Sequence, residues 1–432
     1  MIFVVPPPMS CVSEVGDERS ILKRSRFLIL TLSLIFWPGP AARGLEPERV
    51  ALPQTGQTRC YDKAGLVVPC RGTGQDGEQR AGVSWPLKRF FDTGAGALVD
   101  RLTGLMWPQE ANAPGSEDCV TGARKTWGEA LDHVACLNDS RYLGYNDWRL
   151  PTVNELASLL NAGDPEPARW LAAQGFRAVE PAHYWSSTPL SYVFGEAWAV
   201  SFAPFVPAEE LNGGILGAGS ITDARYVWPV REAGPAPAPV WQTGPTAILD
   251  ERAVPVGGVV WPSPRFVAQT DGTVSDRLTG LVWLQDTNCL ASHYPAFDRD
   301  GEAGDGFVSW QSALDFAAGV NAGRHPRCGA GRSDWRLPNQ QELHSLTDFS
   351  GYNPPLPPGH PFLNLLPAQY WSSTTLGGRP DEALIVNMWS GYMGHRPKSA
   401  ENGVWLVRGG TGNGRHLRLP QVSRPIPRKI SN

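Results

Sequence analysis

The chain lacks the short motifs that mark the commonest catalytic sites. It contains no GxSxG, HExxH or P-loop sequence, and its eight histidines recur at no equivalent positions of the repeats described below. These absences give no support to a serine hydrolase, a zinc peptidase or a P-loop nucleotidase. There is also no CxxC pair, so neither a zinc ribbon nor a redox dithiol is indicated.

Long apolar runs are missing beyond residue 37. The run at 27–37 follows the basic residues Lys23, Arg24 and Arg26 and precedes small residues at 42 and 44. It is too short to span a bilayer, and this order is typical of a secretory signal peptide. We therefore expect residues 1–44 to direct export, giving a periplasmic, cell-surface or secreted protein with no membrane span in the mature chain. An uncleaved anchor is the alternative.

Positive charge is also limited. The net charge is −4, and it becomes more negative when residues 1–44 are removed. A chain with this negative net charge is poorly suited to binding a polyanion, so no nucleic-acid partner is expected. The exception is the segment 409–432, which carries five basic residues and no acid. Its composition predicts a disordered basic tail.

The chain does contain a duplicated unit. DRLTGLMW at 100–107 returns as DRLTGLVW at 276–283, and DWRLP, YWSST and a closing VWPVR or VWLVR recur in the same order. A period of about 180 residues fits two whole domains rather than a solenoid. We place the repeats at 83–231 and 259–408, after a Gly-rich lead-in at 45–82. The Pro/Ala-rich linker at 232–258 is interpreted as a stiff spacer.

Tryptophan is abundant, with 17 residues. Twelve of them occupy equivalent positions in the two repeats, as the pairs Trp85/Trp261, Trp107/Trp283, Trp127/Trp310, Trp148/Trp335, Trp185/Trp371 and Trp228/Trp405. A tryptophan inside a recurring motif is predicted to anchor a core, although tryptophans in such numbers can also line sugar-binding surfaces.

Six cysteines follow the predicted signal peptide. The simplest pairing joins neighbours within each segment, as Cys60–Cys70, Cys119–Cys136 and Cys289–Cys328. This pairing suits an oxidising compartment, and the fourteen other pairings stay open.

Each repeat shows the pattern of an α+β unit. An extended stretch with a glycine turn is followed by two amphipathic helices, a Pro-rich loop and three strands with alternating apolar residues. This order predicts two helices packed on one face of a small antiparallel sheet.

Four acidic residues near the second helix have structural explanations. Glu155 and Glu342 each follow a capping residue by three positions, which predicts a capping box rather than a catalytic carboxylate. Asp147 and Asp334 open the DWRLP motif, and we expect each to form a buried bond to an arginine or to the backbone that fixes the turn.

The loop before the last strand differs most between the repeats. In repeat two it carries the candidate ligand-binding residues Trp389, Tyr392, His395, Arg396 and Lys398. Aromatic and cationic side chains together suit a sugar, a sulfated glycan or a protein partner. The equivalent loop of repeat one is Gly-rich and acidic, which predicts that the two copies bind different ligands.

An acidic insertion at 297–307 occurs in repeat two alone. Asp298, Asp300, Glu302 and Asp305 provide several carboxylate oxygens, which Ca²⁺ prefers. The spacing is not that of a full calcium loop, so a solvated loop is the alternative. No other cofactor is expected.

The motifs DxxTGLxW, DWRLPxxxEL, YWSST and VxxVR together resemble one bacterial family, typified by the C-terminal domain of the Legionella collagen-like (Lcl) adhesin. The resemblance implies a C-type lectin-like fold in each repeat and a link to adhesion on sulfated glycans. RLPTVNEL at 149–156 is also similar to a helix start of formylglycine-generating enzymes, which share that fold. The sugar motifs EPN and QPD of calcium lectins are absent.

We therefore expect two disulfide-stapled lectin-like modules that bind a glycan or a cell-surface protein and have no enzymatic activity. An enzyme of the formylglycine-generating class and a structural envelope component are the alternatives. The oligomeric state and the packing of the two repeats stay open.

Overall fold

Each repeat is built on two small β-sheets with short helices packed against them. The computed structural model describes residues 49–115, 119–204, 216–244, 257–299 and 301–409. The predicted signal peptide, Asp300 and residues 410–432 of the predicted tail lie outside these residues. In the part of the chain that is described, no helix has both the length and the apolar character needed to cross a bilayer.

The lead-in and repeat one follow the predicted order of strand, helices and strands. Their elements are β1 (Cys60–Tyr61), β2 (Val67–Val68), α1 (Asp76–Gln79), β3 (Phe90–Asp92), β4 (Ala97–Asp100), β5 (Leu105–Pro108), α2 (Trp127–Asp139), α3 (Val153–Ala157), α4 (Pro167–Ala173), β6 (His183–Pro189), β7 (Glu196–Ser201), β8 (Leu216–Ser220) and β9 (Arg231–Glu232).

Repeat two has the same order without a counterpart of α4, and it has extra elements around its acidic insertion. Its elements are β10 (Phe266–Ala268), β11 (Thr273–Asp276), β12 (Val282–Leu284), α5 (Cys289–His293), β13 (Phe307–Val308), α6 (Trp310–Asn321), α7 (Gln340–Ser345), β14 (Gln369–Leu376), β15 (Arg379–Asn387), β16 (Met393–Pro397), β17 (Asn402–Gly403) and β18 (Val407–Arg408).

The sheet of each repeat is split in two, where the sequence predicted one. In repeat one the sheets have the strand orders β3-β4-β5-β9 and β6-β7-β8, and in repeat two β10-β11-β12-β18 and β13-β17-β14-β15-β16. The last strand of each repeat returns beside the opening hairpin, with Met106 opposite Arg231 and Val282 opposite Arg408. The mixed α+β class and the two tandem domains are confirmed.

The second helix of each repeat begins where the capping residues predicted. Thr152 and Glu155 form a complete capping box at α3, and Asn339 and Glu342 form another at α7. Each glutamate also makes a double ion pair with the arginine of DWRLP, which the capping pattern does not predict. The Arg336–Glu342 pair has N–O distances of 2.5 and 2.6 Å and is buried.

Most of the paired tryptophans lie in the two interiors, as predicted. Five pairs are at most 3% exposed, namely Trp107/Trp283, Trp127/Trp310, Trp148/Trp335, Trp185/Trp371 and Trp228/Trp405. Trp85 and Trp261 are half-buried, and each donates its indole N–H to a backbone carbonyl of the segment that precedes its repeat. The recurring tryptophans therefore build scaffold rather than an open sugar-binding surface.

Three disulfides join the cysteines in the simplest pairing. The bonds are Cys60–Cys70, Cys119–Cys136 and Cys289–Cys328, with Cα–Cα distances of 5.1, 5.9 and 5.8 Å. In repeat one the bond ties α2, which contains Cys136, to the preceding loop, whereas in repeat two it ties α5, which contains Cys289, to the segment after α6.

A buried arginine–aspartate pair recurs at the opening hairpin of each repeat. Asp100 accepts two hydrogen bonds from Arg89, at 3.0 and 2.7 Å, and also binds the backbone N–H of Leu102 and the hydroxyl of Thr103. Nη2 of Arg89, which binds Asp100, also donates to the carbonyl of Ser158 after α3 at 2.7 Å. In repeat two, Arg265 makes the same contacts with Asp276 and with the carbonyl of Ser345. The pair thus joins the hairpin to the second helix.

The expectation that Asp147 and Asp334 are buried was wrong. Their side chains are 55% and 56% exposed, because both lie at the edge of the closing strand. Each does bind an arginine, but the partner is the last residue of VxxVR. The Asp147–Arg231 bonds measure 2.7 and 3.0 Å, and Asp334–Arg408 is equivalent.

The segments that precede the two repeats make reciprocal contacts. Val50 of the lead-in donates its backbone N–H to Leu278 of repeat two, and Ala238 of the linker donates to the equivalent Leu102 of repeat one. Trp241 of the linker is only 4% exposed. Residues 238–244 are therefore packed against both repeats, and the interpretation of the whole linker as a spacer was wrong.

Asp76 in α1 attaches the lead-in to repeat two. Its carboxylate is buried and accepts hydrogen bonds from Thr55, at 2.6 Å, and from Thr374 of β14, at 2.8 Å. Burial raises the pKa of Asp76 to about 6, although both hydroxyls lower it. Thus the two repeats and the lead-in form one compact unit.

The buried Arg–Asp pair predicts unequal costs for two similar substitutions. Asp100→Ala leaves a buried guanidinium without its carboxylate, so we expect a loss of about 3–5 kcal/mol in the free energy of unfolding. Asp147→Ala removes an exposed partner and should cost about 1 kcal/mol or less. Urea unfolding followed by tryptophan fluorescence measures both, and equal losses would contradict the role given to the buried pair.

Asp76 predicts a pH dependence of stability. The folded protein holds the proton of Asp76 more tightly than the unfolded chain does. The stability that this proton contributes is therefore full below the unfolded pKa of 3.8 and is lost as the pH rises through the folded pKa of about 6. Relative to Asp76→Asn, the free energy of unfolding of the parent should be about 1 kcal/mol higher at pH 5 than at pH 7.5. Urea titrations at the two pH values test this, and a constant difference would argue against it.

Candidate functional site

Three aromatic rings from both repeats form an exposed cluster, here named the aromatic platform. Tyr192 comes from repeat one, and Tyr352 and Trp389 come from repeat two. The ring centroid of Tyr192 is 5.3 Å from each of the other two, which are 6.2 Å apart. Tyr352 is 53% exposed and Trp389 is 42% exposed. The platform exists only because the two repeats pack together.

The turn between β15 and β16 holds Trp389 in place. The backbone N–H of Trp389 donates to the side chain of Asn387 at 2.7 Å, and its carbonyl accepts from Asn353 at 2.7 Å. Gly391 completes the turn with a φ of 80°, a conformation that other residues rarely adopt. The hydroxyl of Tyr192 lies near the side chain of Ser390, so the ring from repeat one adjoins the turn that carries Trp389.

Further apolar surface lies next to Tyr192. The turn between β6 and β7 carries Val193, which is 37% exposed, and Phe194, which is 94% exposed. A large ring so fully in water has no role in this core. It extends the apolar area beside the platform in the manner of a contact surface.

A cleft of about 710 Å³ opens on the same junction, here named the junction cleft. Repeat one supplies most of its wall, including Arg124, His183, Arg225 and Tyr226, and repeat two supplies Tyr392. Since Trp389 and Tyr392 lie on one turn, that turn borders both the platform and the cleft. The cleft therefore offers polar contacts close to an aromatic surface.

The cations of the junction cleft are held over aromatic rings. The guanidinium of Arg225 lies 4.5 Å from the ring centroid of Trp185, and that of Arg124 lies 5.0 Å from that of Tyr226. Asp223 is 3.5 Å from Arg225, and one terminal nitrogen of Arg225 is buried without a hydrogen-bond partner. Burial lowers the pKa of His183 to about 4, so this imidazole is neutral at pH 7.

The five predicted ligand-binding residues do not form one surface. Met393–Pro397 is strand β16 rather than a loop, and it carries His395, which pairs with Glu382, and Arg396, which donates to Gln369 at 2.6 Å. Lys398 is only 2% exposed. Its ammonium lies 4.1 Å from the ring centroid of Trp310 and donates to a lead-in carbonyl.

Burial lowers the pKa of Lys398 to about 8. This lysine is part of the scaffold and is not placed to meet a ligand. Trp389 and Tyr392 are the two predicted residues that the structure brings to the junction. Tyr192 and Tyr352 were missed, because nothing in the sequence connects two isolated tyrosines 160 residues apart.

The acidic insertion of repeat two folds around Asp298. This side chain is 1% exposed, and one of its oxygens accepts the backbone N–H groups of Gly304 and Gly306 at 3.0 Å each. Asp305 accepts from the N–H of Phe307, and burial and the neighbouring Asp298 raise the pKa of Asp305. Glu302 is exposed, and Asp300 lies outside the described residues.

One group of three potential metal ligands occurs in the described residues. It consists of Asp286, Cys289 and His293. Because Cys289 is bonded to Cys328, it has no thiolate to offer a metal. The group is therefore explained by the fold.

The segments that build the two repeats match a family model. The model describes the Lcl C-terminal domain, and it matches residues 96–231 and 272–408, together more than half of the chain. The chain belongs to the Lcl C-terminal domain family. Tyr192 falls in the first Lcl C-terminal domain, and Tyr352 and Trp389 fall in the second. A comparison with curated proteins finds no match.

Proposed function

We propose that this protein is an exported binding protein that holds a glycan at the junction of its two Lcl C-terminal domains. The aromatic platform is the observation that carries this proposal. Sugar rings have apolar faces that pack on exposed aromatic rings, and tyrosine and tryptophan offer a large rigid surface with a polar edge. Tyr352 and Trp389 present such faces to solvent.

The junction cleft supports the same proposal. Its arginines and tyrosines can donate hydrogen bonds to hydroxyl or acidic groups of a sugar that continues from the platform. A ligand site is typically a concavity with a few convergent polar groups beside apolar surface. The cleft and the platform share the turn that carries Trp389 and Tyr392, so one extended ligand can contact both.

A protein partner is the second candidate, and Phe194 favours it. Exposed aromatic residues near the centre of an interface often carry much of its binding energy. A 94% exposed phenylalanine beside the platform would be covered by a protein surface more completely than by a short glycan.

Export and fold class belong to the same proposal. Three disulfides in a chain with a signal-like N-terminus support an oxidising compartment such as the periplasm or the cell surface. Two helices beside antiparallel sheets, with the last strand returning to the first hairpin, support a C-type lectin-like architecture for each domain.

A glycan array with purified variants tests the platform. Trp389→Ala and Tyr352→Ala should each weaken binding by about tenfold or more, since each removes a stacking face. Phe91→Ala is the matched control, because Phe91 is 49% exposed but lies on β3 of repeat one. If both platform variants bind glycans as the parent does, the glycan site is excluded. If the variants keep glycan binding but lose binding to a protein partner, the second candidate is favoured.

Thiol titration tests the enzyme alternative. A formylglycine-generating type of activity needs a reactive cysteine, and the three disulfides use all six cysteines between residues 49 and 409. We expect the exported chain, unfolded without reductant, to show no free thiol. A free thiol in the chain processed after residue 44 would favour the enzyme.

A further inference from the structure

The acidic insertion of repeat two places two carboxylates close together, where their like charges repel. The side chains of Asp298 and Asp305 lie within hydrogen-bonding reach of each other. Ionised carboxylates only accept hydrogen bonds, so neither can satisfy the other. Two facing carboxylates are stable only if they share a proton or hold a cation between them.

The free oxygen of Asp298 identifies where such a cation would bind. Asp298 is 99% buried, and while one oxygen accepts two backbone N–H groups, the other has no hydrogen-bond partner. An unpartnered buried carboxylate oxygen is costly unless a cation compensates it. This observation is independent of the acidic composition of the loop.

Further side-chain oxygens lie against the same loop. The side-chain oxygen of Asn288 lies against Gly306, and its amide nitrogen donates to the carbonyl of Asp305 at 3.1 Å. The carboxylate of Glu401, from the segment before β17, lies against Gly301. Side-chain oxygens from three separate segments thus meet at this loop.

We propose that Asp298 and Asp305 of the acidic insertion are the carboxylate ligands of a calcium site. Calcium accepts six to eight oxygen ligands in irregular geometry, including amide and backbone oxygens, whereas magnesium requires a near-ideal octahedron. The ion would lie between β12 and α6 and stabilise a segment that repeat one lacks. This site is separate from the junction and does not depend on the proposed function.

Calorimetric titration of the EDTA-stripped full chain with CaCl₂ tests this site, together with its thermal unfolding. We expect binding of one Ca²⁺ and a higher Tm, and a weaker effect with MgCl₂. Asp305→Asn keeps an oxygen for the N–H of Phe307 but removes one charge, so it should weaken Ca²⁺ binding by about tenfold or more. Asp315→Asn, on the exposed side of α6, is the matched control and should bind as the parent does.

Two results would overturn the proposal. If the parent shows no heat and no change in Tm at millimolar CaCl₂, the carboxyls share a proton. If Asp305→Asn binds Ca²⁺ as tightly as the parent, the ion binds elsewhere. Asp305→Asn relieves the repulsion without calcium, so its Tm without the ion should equal or exceed that of the stripped parent, which separates lost binding from misfolding.

Discussion

A buried guanidinium held by one aspartate organises each module. Asp100 saturates its oxygens with an arginine, a backbone N–H and a hydroxyl, so the opening hairpin and its turn form around it. Arg89 then reaches the carbonyl of Ser158 and brings in the second helix. A buried charged pair is stable only when good hydrogen bonds compensate for its lost hydration, and here they do so although Nη1 of Arg89 is left without a partner. The opening hairpin and the second helix of each repeat are joined by this bonded unit.

The two modules are joined by exchange of their preceding segments. Each segment passes the hairpin turn of one module before it enters the other, as the equivalent bonds to Leu102 and Leu278 show. This arrangement is that of a closed two-fold pair, made within one chain. It explains why the lead-in and residues 238–244 are well packed although the family model begins later in each repeat.

Local chemistry could be predicted from the sequence, and long-range pairing could not. The capping boxes depend on residues three positions apart, and the disulfides join cysteines within one segment, so both are visible in the sequence. The Arg89–Asp100 pair depends on strand register, and the platform depends on how two domains pack. Proline and alanine in the linker suggested a spacer, but Trp241 beside them outweighs that composition because its burial stabilises the packed form.

Duplication produced two equivalent junctions, and they have diverged. At the counterpart of the turn that carries Tyr192, Gly377 of repeat two lies so close to repeat one that a Cβ atom would come within 2.8 Å of the carbonyl oxygen of Ala162. A side chain at position 377 would therefore require the chain to move away from repeat one. Within the described residues, the platform therefore occurs at one of the two junctions. If the platform binds the proposed glycan, the described residues offer one such site, and firm attachment to a repetitive surface would require several copies of the protein side by side, because avidity comes only from linked sites.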